Sequence, residues 1–345
     1  MNNIIHKIIK LIACIVCAHA NVQAQAQTHR QNQSHRIFQP TAYQTEVATR
    51  IGINQAELTM LFNKPLYKMN PKEVGRYIAY LHEEEPDVRA RVSALARKNI
   101  GQPYEIFLLG EFPYELYDNQ PLFSLERSDC VVFVEHTYAM ALSRSWEDFF
   151  WVLQRIRYAN GVIGVSTRNH YTEADWNVQN AWLVTDISKQ LAGGETSTYT
   201  SIIDRAAFLK NTHKVDAQVA PQTINESYVP KALATKVLSQ LNAGDFVNVI
   251  SQKDGEYLAS HVGLVVIGEN GERHFLHSSA PRVREEKFEE FISRAETRES
   301  RNKTLGKSGL QLMGFKFLRL NESPIVPPMA PQPRPGSMKD ASQAK

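Results

Sequence analysis

One cysteine of this sequence stands where it could act as a nucleophile. Of the three cysteines, only Cys130 lies beyond the first 26 residues. The nearly continuous apolar run 130–143 predicts a buried helix, which Ser128 or Asp129 can cap, so that Cys130 falls in the first turn. The positive end of a helix dipole stabilises a thiolate, the form of cysteine that attacks carbonyl carbons. The position favours nucleophilic catalysis, with an inert buried cysteine as the alternative.

A thiol nucleophile needs a general base, and His261 is the best candidate. It opens the predicted strand HVGLVV, at the edge of a buried element where a side chain is held rigidly and stays reachable. His136 lies six residues after Cys130 on another face of the same predicted helix, and His170 lies in a polar loop. We therefore predict His261 as the base. A strand-end histidine without chemistry is the alternative.

The hairpin that follows His261 decides which histidine can orient it. The predicted strands 261–267 and 273–277 flank an Asn270-Gly271 pair, which is typical of β-hairpins. One residue of difference in loop length moves every side chain of the second strand to the other face. We predict a three-residue loop, in which a type I turn is followed by Gly271 in the left-handed conformation.

The three-residue loop places His277 on the same face as His261. In this register residue 277 lies opposite Gly263, which leaves room for an imidazole ring, and His261 is one diagonal step away. His277 could then orient His261 as the third polar group of a catalytic triad does. A strand-end histidine bonded to Ser278 or Ser279 is the alternative.

Other catalytic chemistries fit the sequence less well. His274 and His277 are three residues apart, but alternation along a strand sends them to opposite faces, so they make a poor zinc pair. A glycine-rich phosphate loop and a G-x-S-x-G motif are both absent from the sequence. We predict no metal and no other cofactor. The acidic runs 83–85 and 285–286 are interpreted as solvated helix faces.

The elements that must position these residues are helices first and strands later. Residues 46–100 are helical in pattern, with Asn54 as a cap, and further helices are predicted over 146–158 and 172–187. Residues 188–235 are polar and predict loops with short elements. Besides the hairpin, strands are predicted over 246–250 and 314–320. The order predicts an α+β fold.

Composition and the N-terminus bear on localisation. The chain has 345 residues and a net charge of +3, which gives no argument for nucleic acid as a partner. Lys7 and Lys10, a short apolar stretch and the small residues around Ala26 predict a signal peptide over 1–26, and hence export to the periplasm or cell envelope. The residues before Cys14 resemble a lipobox, so a lipid anchor is the alternative. No other segment predicts a membrane span.

Several motifs, in their order along the chain, resemble the NlpC-type papain-like cysteine peptidases. These are Gly101-Gln102-Pro103-Tyr104, Asp129-Cys130, Ala243-Gly244-Asp245, His261-Val262-Gly263 and Phe275-Leu276-His277-Ser278-Ser279. Within that superfamily, residues 108–116 and 167–176 resemble the N-acetylmuramoyl-L-alanine amidase-like branch. The resemblance covers roughly residues 100–320.

The resemblance implies a papain-like core, with the cysteine-bearing helix packed on an antiparallel sheet. It implies Cys130 as nucleophile, His261 as base and His277 as third member, with Tyr104 on the oxyanion side. Val131-Val132 replace the usual Ser-Gly after the Asp-Cys pair. The spacing from Tyr104 to Cys130 is also longer than usual.

Residues 168–171 of the second branch motif are candidates for substrate binding. Arg168, a natural clamp for a carboxylate, would bind the sugar or the peptide carboxylate together with Asn169, His170 and Tyr171. A structural polar loop is the alternative.

The reaction implied is hydrolysis of an amide in peptidoglycan fragments (muropeptides), between N-acetylmuramic acid and L-Ala, through a cysteine thioester. The alternatives are a γ-D-Glu-diamino-acid endopeptidase, a catalytically silent muropeptide-binding module and a cysteine acyltransferase of the same fold. The oligomeric state stays open.

The sequence also predicts the domain organisation. After the signal peptide we expect a flexible leader over 27–45 and a helical extension over 46–100. The hydrolase domain would span 101–322, with an inserted helical and loop region at about 160–235. A disordered Pro-rich tail would follow over 323–345.

Overall fold

The computed structural model describes residues 38–335, which form a mixed α+β structure with an antiparallel sheet. The chain divides into two compact units, Met1–Lys64 and Pro65–Lys345. The predicted signal peptide and Cys14 lie outside the described residues. The domain boundaries expected from the sequence stay predictions.

The described part of the first unit holds two helices, α1 (Ala42–Arg50) and α2 (Gln55–Asn63). Asn54 caps α2 by accepting a hydrogen bond from the backbone N–H of Glu57 at 2.9 Å, as its position predicts. Helix α1 begins inside the segment expected to be a flexible leader, because a capping box at its first turn satisfies the free backbone groups there.

The second unit holds nine further α-helices and eight strands among its described residues. The helices are α3 (Pro71–Glu84), α4 (Val88–Lys98), α5 (Cys130–Leu142), α6 (Trp146–Arg157), α7 (Asn177–Gln179), α8 (Ser188–Ala192), α9 (Arg205–His213), α10 (Lys231–Val237) and α11 (Phe288–Thr304). The strands are β1 (Val184–Asp186), β2 (Ser197–Ile203), β3 (Gln222–Pro230), β4 (Phe246–Lys253), β5 (Glu256–Ile267), β6 (Arg273–Ser279), β7 (Arg282–Lys287) and β8 (Gln311–Leu320).

The strands form one antiparallel sheet in the order β2-β3-β8-β4-β5-β6-β7, with β1 paired to β8. An apolar cluster lies between this sheet and helices α8, α10 and α11, and it includes Val247, Val265, Phe275, Phe288 and Phe317. Helix α5 is buried on nearly every side and packs against β5 and β6. Its first residue is therefore held beside the strands that carry the two candidate histidines.

The helix expected over 172–187 is not continuous, and that prediction is wrong. A π-helical turn spans Thr172–Trp176, α7 follows, and β1 begins at Val184. The carboxylate of Asp175 accepts a hydrogen bond from the backbone N–H of Tyr171 at 3.0 Å and pairs with Arg205.

Two further strand regions were not predicted. Residues 188–235 contain the antiparallel pair β2–β3, in which all of β2 pairs with residues 222–228 of β3. Most side chains of β2 are exposed or partly exposed, so its alternation is weak in the sequence. Glu285 and Glu286, expected on a solvated helix face, instead lie on β7.

The described part of the C-terminal segment, 323–335, makes hydrogen bonds to the rest of the unit. The side chain of Gln332 donates to the carbonyl of Gly161 at 2.7 Å and accepts from the N–H of Ile163 at 3.1 Å. These bonds satisfy backbone groups of a turn, which a count of prolines does not reveal. Within residues 38–335, the helices are too short or too polar to cross a membrane.

Candidate active site

Cys130 is the first residue of α5, at the end where the backbone N–H groups are free. Asp129 caps the helix, and its carboxylate accepts a hydrogen bond from the N–H of Val132 at 2.8 Å. Ser128, the residue before this cap, is anchored to β6, since the Ser278 hydroxyl donates to the carbonyl of Ser128 at 2.9 Å. The sequence thus fixes Cys130 between a helix cap and a strand.

The resting thiol of Cys130 is protonated. Burial, with the nearby charge of Asp129, raises the pKa of Cys130 to about 12, although backbone N–H groups of Val262, Val131 and Cys130 itself lower it. The N–H of Val262 adjoins His261 in the chain, so the thiol lies beside the backbone of the predicted base. The hydrogen bonds of residues 38–335 do not include one between the thiol and the His261 ring.

A β-bulge sets the direction of His261. His261 pairs with Val249, whereas Ala259 pairs with Ile250, which leaves Ser260 as the extra residue on β5. The Ser260 hydroxyl donates to the carbonyl of Val249 at 3.3 Å and so stabilises the bulge. A bulge changes which face the following side chain points to, a device that is common next to active sites.

The predicted hairpin register is confirmed. Leu264 pairs with Leu276 and Ile267 with Arg273, which corresponds to the three-residue loop. The N–H of Gly271 bonds to the carbonyl of Gly268 at 2.9 Å, and Gly271 has a φ of 75°. The register therefore brings His261 and His277 to one face of the sheet.

The two histidines and a glutamate form a hydrogen-bonded row. His261 Nε2 lies 2.7 Å from His277 Nδ1, and His277 Nε2 lies 2.7 Å from Glu286 Oε1. Sequence reasoning missed Glu286. A two-residue turn at Ala280-Pro281 would have placed it on the His277 face, and that turn was the available signal.

Burial keeps both histidines neutral. It lowers the pKa of His261 well below its usual value, and the charge of Arg284 lowers it further. Burial likewise lowers the pKa of His277 to about 4, against the opposing hydrogen bond to Glu286. A neutral imidazole beside a neutral thiol can accept the thiol proton, which is the chemistry of a general base.

Tyr104 lies near Cys130, as the resemblance implies. Its backbone bridges to Ser128, and its N–H bonds to the carbonyl of Pro281 at 3.1 Å. Burial raises the pKa of Tyr104, and the charge of Asp129 raises it further. The phenol therefore stays protonated and can donate a hydrogen bond.

The guanidinium of Arg168 makes ion pairs and a hydrogen bond to other residues of the protein. It pairs with Glu111 at 3.3 Å and Asp118 at 3.3 Å, and it donates to the carbonyl of Leu109 at 2.9 Å. These partners all lie in or next to the first branch motif, 108–116. Arg168 also lies close enough to lower the pKa of Asp129, so the two motifs meet near the cysteine.

The other three residues of the segment also make internal contacts. The side chain of Asn169 donates to the carbonyl of Ile156 at 2.9 Å, and His170 Nε2 lies 2.6 Å from the carbonyl of Val165. Tyr171 packs in a small apolar cluster with Ala174. Their roles toward a substrate stay predictions.

A buried ion pair that involves Glu135 of α5 was not predicted from the sequence either. Arg157 pairs with Glu135 at 3.3 Å, and the indole N–H of Trp176 donates to Glu135 at 3.1 Å. Burial raises the pKa of Glu135 to about 7 despite the charge of Arg157. In the sequence, Glu135 is a single acid within an apolar run, and its spacing gives no partner.

His136 is a buried packing residue. Its Nδ1 lies 2.8 Å from the carbonyl of Val132, and burial lowers its pKa to about 3. In the described part of the chain, no group of three or more His, Cys, Asp or Glu side chains is arranged to hold a metal ion.

Comparison with known proteins shows which family this chain matches. A model of the AmiA-like family, described as N-acetylmuramoyl-L-alanine amidase-like, matches residues 94–297, a range that includes Tyr104, Cys130, His261 and His277. The comparison with curated proteins finds no match. The amidase-like branch named from the sequence is supported, whereas the wider NlpC-type superfamily and the papain-like details stay predictions.

Two solved structures show a similar fold. A Legionella pneumophila str. Philadelphia 1 protein with the family name DUF1460 is 21% identical, with a TM-score of 0.61 over 73% of this chain and 96% of that chain. An N-acetylmuramoyl-L-alanine amidase from Bacteroides uniformis is 20% identical, with a TM-score of 0.51 over 68% of this chain and 99% of that one. At these identities the likeness concerns the fold alone.

Proposed function

The chain belongs to the AmiA-like, N-acetylmuramoyl-L-alanine amidase-like family, and from this membership we propose that it is a peptidoglycan amidase that uses Cys130 as its nucleophile. The observation that supports this most is the 2.7 Å contact between His261 and His277, next to a thiol at a helix N-terminus. A nucleophile, a base and a group that orients the base are what acyl transfer requires.

In the proposed reaction His261 removes the thiol proton as the sulfur of Cys130 attacks the amide carbonyl carbon. The carbonyl oxygen becomes an oxyanion, which the backbone N–H of Cys130 and the phenol of Tyr104 can stabilise. The C–N bond then breaks, and the leaving amine takes the proton from His261. Water, deprotonated by His261, hydrolyses the thioester and restores the thiol.

We propose muropeptides as the substrate, cut between N-acetylmuramic acid and L-Ala. The family description and the proximity of the 168–171 segment to Asp129 support this assignment. The Arg168 guanidinium already pairs with Glu111 and Asp118. Its proposed contact to a substrate carboxylate would therefore be a third ionic interaction of this side chain. Export to the periplasm or cell envelope fits such a substrate and is proposed on the N-terminal sequence alone.

The test is mass spectrometry of defined muropeptides incubated with wild type, Cys130→Ala, His261→Asn and, as a matched control, His274→Asn. We expect wild type and the control to release an intact stem peptide that begins at L-Ala, and the first two variants to release none. A fragment that ends at D-Glu would replace the amidase assignment with an endopeptidase. Binding without cleavage by wild type would favour a binding module.

A further inference from the structure

The row of hydrogen bonds continues past His261 and His277 to Glu286, a residue that lies outside all the motifs that resemble the family. His261, His277 and Glu286 lie on the adjacent strands β5, β6 and β7, one residue on each. The register of β6 and β7 pairs Phe275 with Glu286 and His277 with Arg284, so the glutamate shares the face of the histidines. We propose that Glu286 is a positioning residue that fixes which nitrogen of His261 is free to accept the Cys130 proton. This inference rests on the proposed function.

The hydrogen bonds of the row fix which nitrogen of each ring carries the proton. A carboxylate only accepts hydrogen bonds, so the contact at 2.7 Å requires the proton of His277 on Nε2. In a neutral ring the other nitrogen, Nδ1, is then an acceptor. His261 must therefore donate from Nε2 across its 2.7 Å contact, which leaves His261 Nδ1 with a free lone pair. One carboxylate thus sets the tautomers of two rings.

Glu286 is suited to this task because it is charged and fixed. Burial opposes its charge, but hydrogen bonds from His277 and Arg294 lower its pKa to about 2. The second nitrogen of Arg294 donates to Glu286 Oε1 at 2.6 Å, and Arg284 Nε lies 3.3 Å from the same oxygen. The side chain of Glu286 is 8% exposed. The carboxylate therefore stays ionised over any ordinary assay range.

The charges that face the two rings give the expected pH effect its sign. Arg284 on β7 and Arg298 on α11 lower the pKa of His261, and Glu286 raises it. Arg294 and Arg284 lower the pKa of His277, and Glu286 again raises it. Loss of the Glu286 charge should therefore lower the pKa of both histidines and stabilise the imidazolium less.

The neighbouring residue offers a matched control. Glu285 Oε1 lies 2.8 Å from His274 Nδ1, so it makes the same kind of contact on the opposite face of the same two strands. Its other partner is Arg97. Glu285→Gln thus removes a comparable histidine–glutamate pair without touching the row that reaches His261.

The first test is the pH profile of kcat/KM for wild type, Glu286→Gln, Glu286→Asp and Glu285→Gln on a muropeptide. We expect Glu286→Gln to reduce kcat/KM on its pH-independent plateau by about tenfold to a hundredfold. The fall of kcat/KM on the acidic side should move to lower pH. Glu286→Asp should recover the position of this fall, and Glu285→Gln should match wild type. A wild-type profile for Glu286→Gln, or the same change in Glu285→Gln, would overturn the inference.

The second test does not depend on activity. Nitrogen-15 spectra of the full chain, labelled at histidine, report the tautomer of His261 in wild type and in Glu286→Ala. We expect the proton on Nε2 in wild type and a mixture of tautomers in the variant. A proton on Nδ1 in wild type, or no change in the variant, would overturn the inference. If wild type cleaves no muropeptide, the proposed function fails and these spectra alone decide the role of Glu286.

Discussion

The backbone of Gly263 passes directly beside His277: a Cβ added at residue 263 would lie 2.8 Å from the Cβ of His277 and 2.6 Å from the ring of Phe275. Both contacts are shorter than real Cβ atoms tolerate. The glycine therefore holds open the place of the imidazole that touches His261.

We expect Gly263→Ala to push His277 away from His261. Activity should fall about a hundredfold or more, because a misplaced orienting group disturbs the base. Overpacking should lower the free energy of unfolding by about 1–3 kcal/mol. Muropeptide turnover and urea unfolding measure the two effects. The control is Gly268→Ala, whose added Cβ would meet the movable ring end of His274 at 2.9 Å. Equal activity in both variants would contradict the prediction.

The proposed amidase activity should persist at acidic pH. Catalysis needs His261 unprotonated, and burial lowers its pKa well below the usual value, so the neutral form persists as the pH falls. We expect kcat/KM to be nearly constant between pH 7 and pH 5 at fixed ionic strength. An imidazole with an ordinary pKa would lose about thirtyfold at pH 5. An acid limb with its midpoint near pH 6.5 would show that the base is an exposed histidine instead.

The sequence was sufficient for the parts of the site that rest on local rules. The Asp129 cap depends on one side chain and the first turn of a helix, and the hairpin register depends on the loop around Gly271. Both rules act within about ten residues. The bulge at Ser260 was not predicted, because a strand with one extra residue has the same composition as a regular one.

The missed features depend on contacts between distant segments. Glu286 was interpreted as a solvated helix residue, and only the pairing of β7 with β6 brings it to His277. The pairing of Arg168 with Glu111 was not predicted either, because only the fold brings the two side chains together, and the role of Arg168 toward a substrate stays a prediction. A charged side chain in a sequence does not reveal whether its partner is a substrate or another part of the protein.

The thiol of Cys130 should react slowly with iodoacetamide in the resting protein. Its pKa is about 12, so about one molecule in ten thousand is thiolate at pH 8, against about a quarter for an ordinary cysteine. We expect alkylation of the folded protein to be about a thousandfold slower than in urea, as followed by mass spectrometry. A folded rate within tenfold of the unfolded rate would mean that the thiol is already ionised before substrate binds.

The variant Arg168→Met separates a structural role of this arginine from a role in substrate binding. Glu111 is fully buried, and it would lose the guanidinium that faces it at 3.3 Å. Loss of one partner of a buried pair should lower the free energy of unfolding by about 3 kcal/mol.

Urea unfolding and the KM for a muropeptide together decide between the two roles. Arg127→Met is the control, because Arg127 pairs with Glu105 in an exposed position and should leave the unfolding midpoint unchanged. If Arg168→Met keeps wild-type stability while KM rises tenfold or more, the guanidinium binds substrate in preference to Glu111. A large loss of stability with an unchanged KM at a temperature where the variant is folded would assign Arg168 to the scaffold that joins residues 108–116 to residues 167–176.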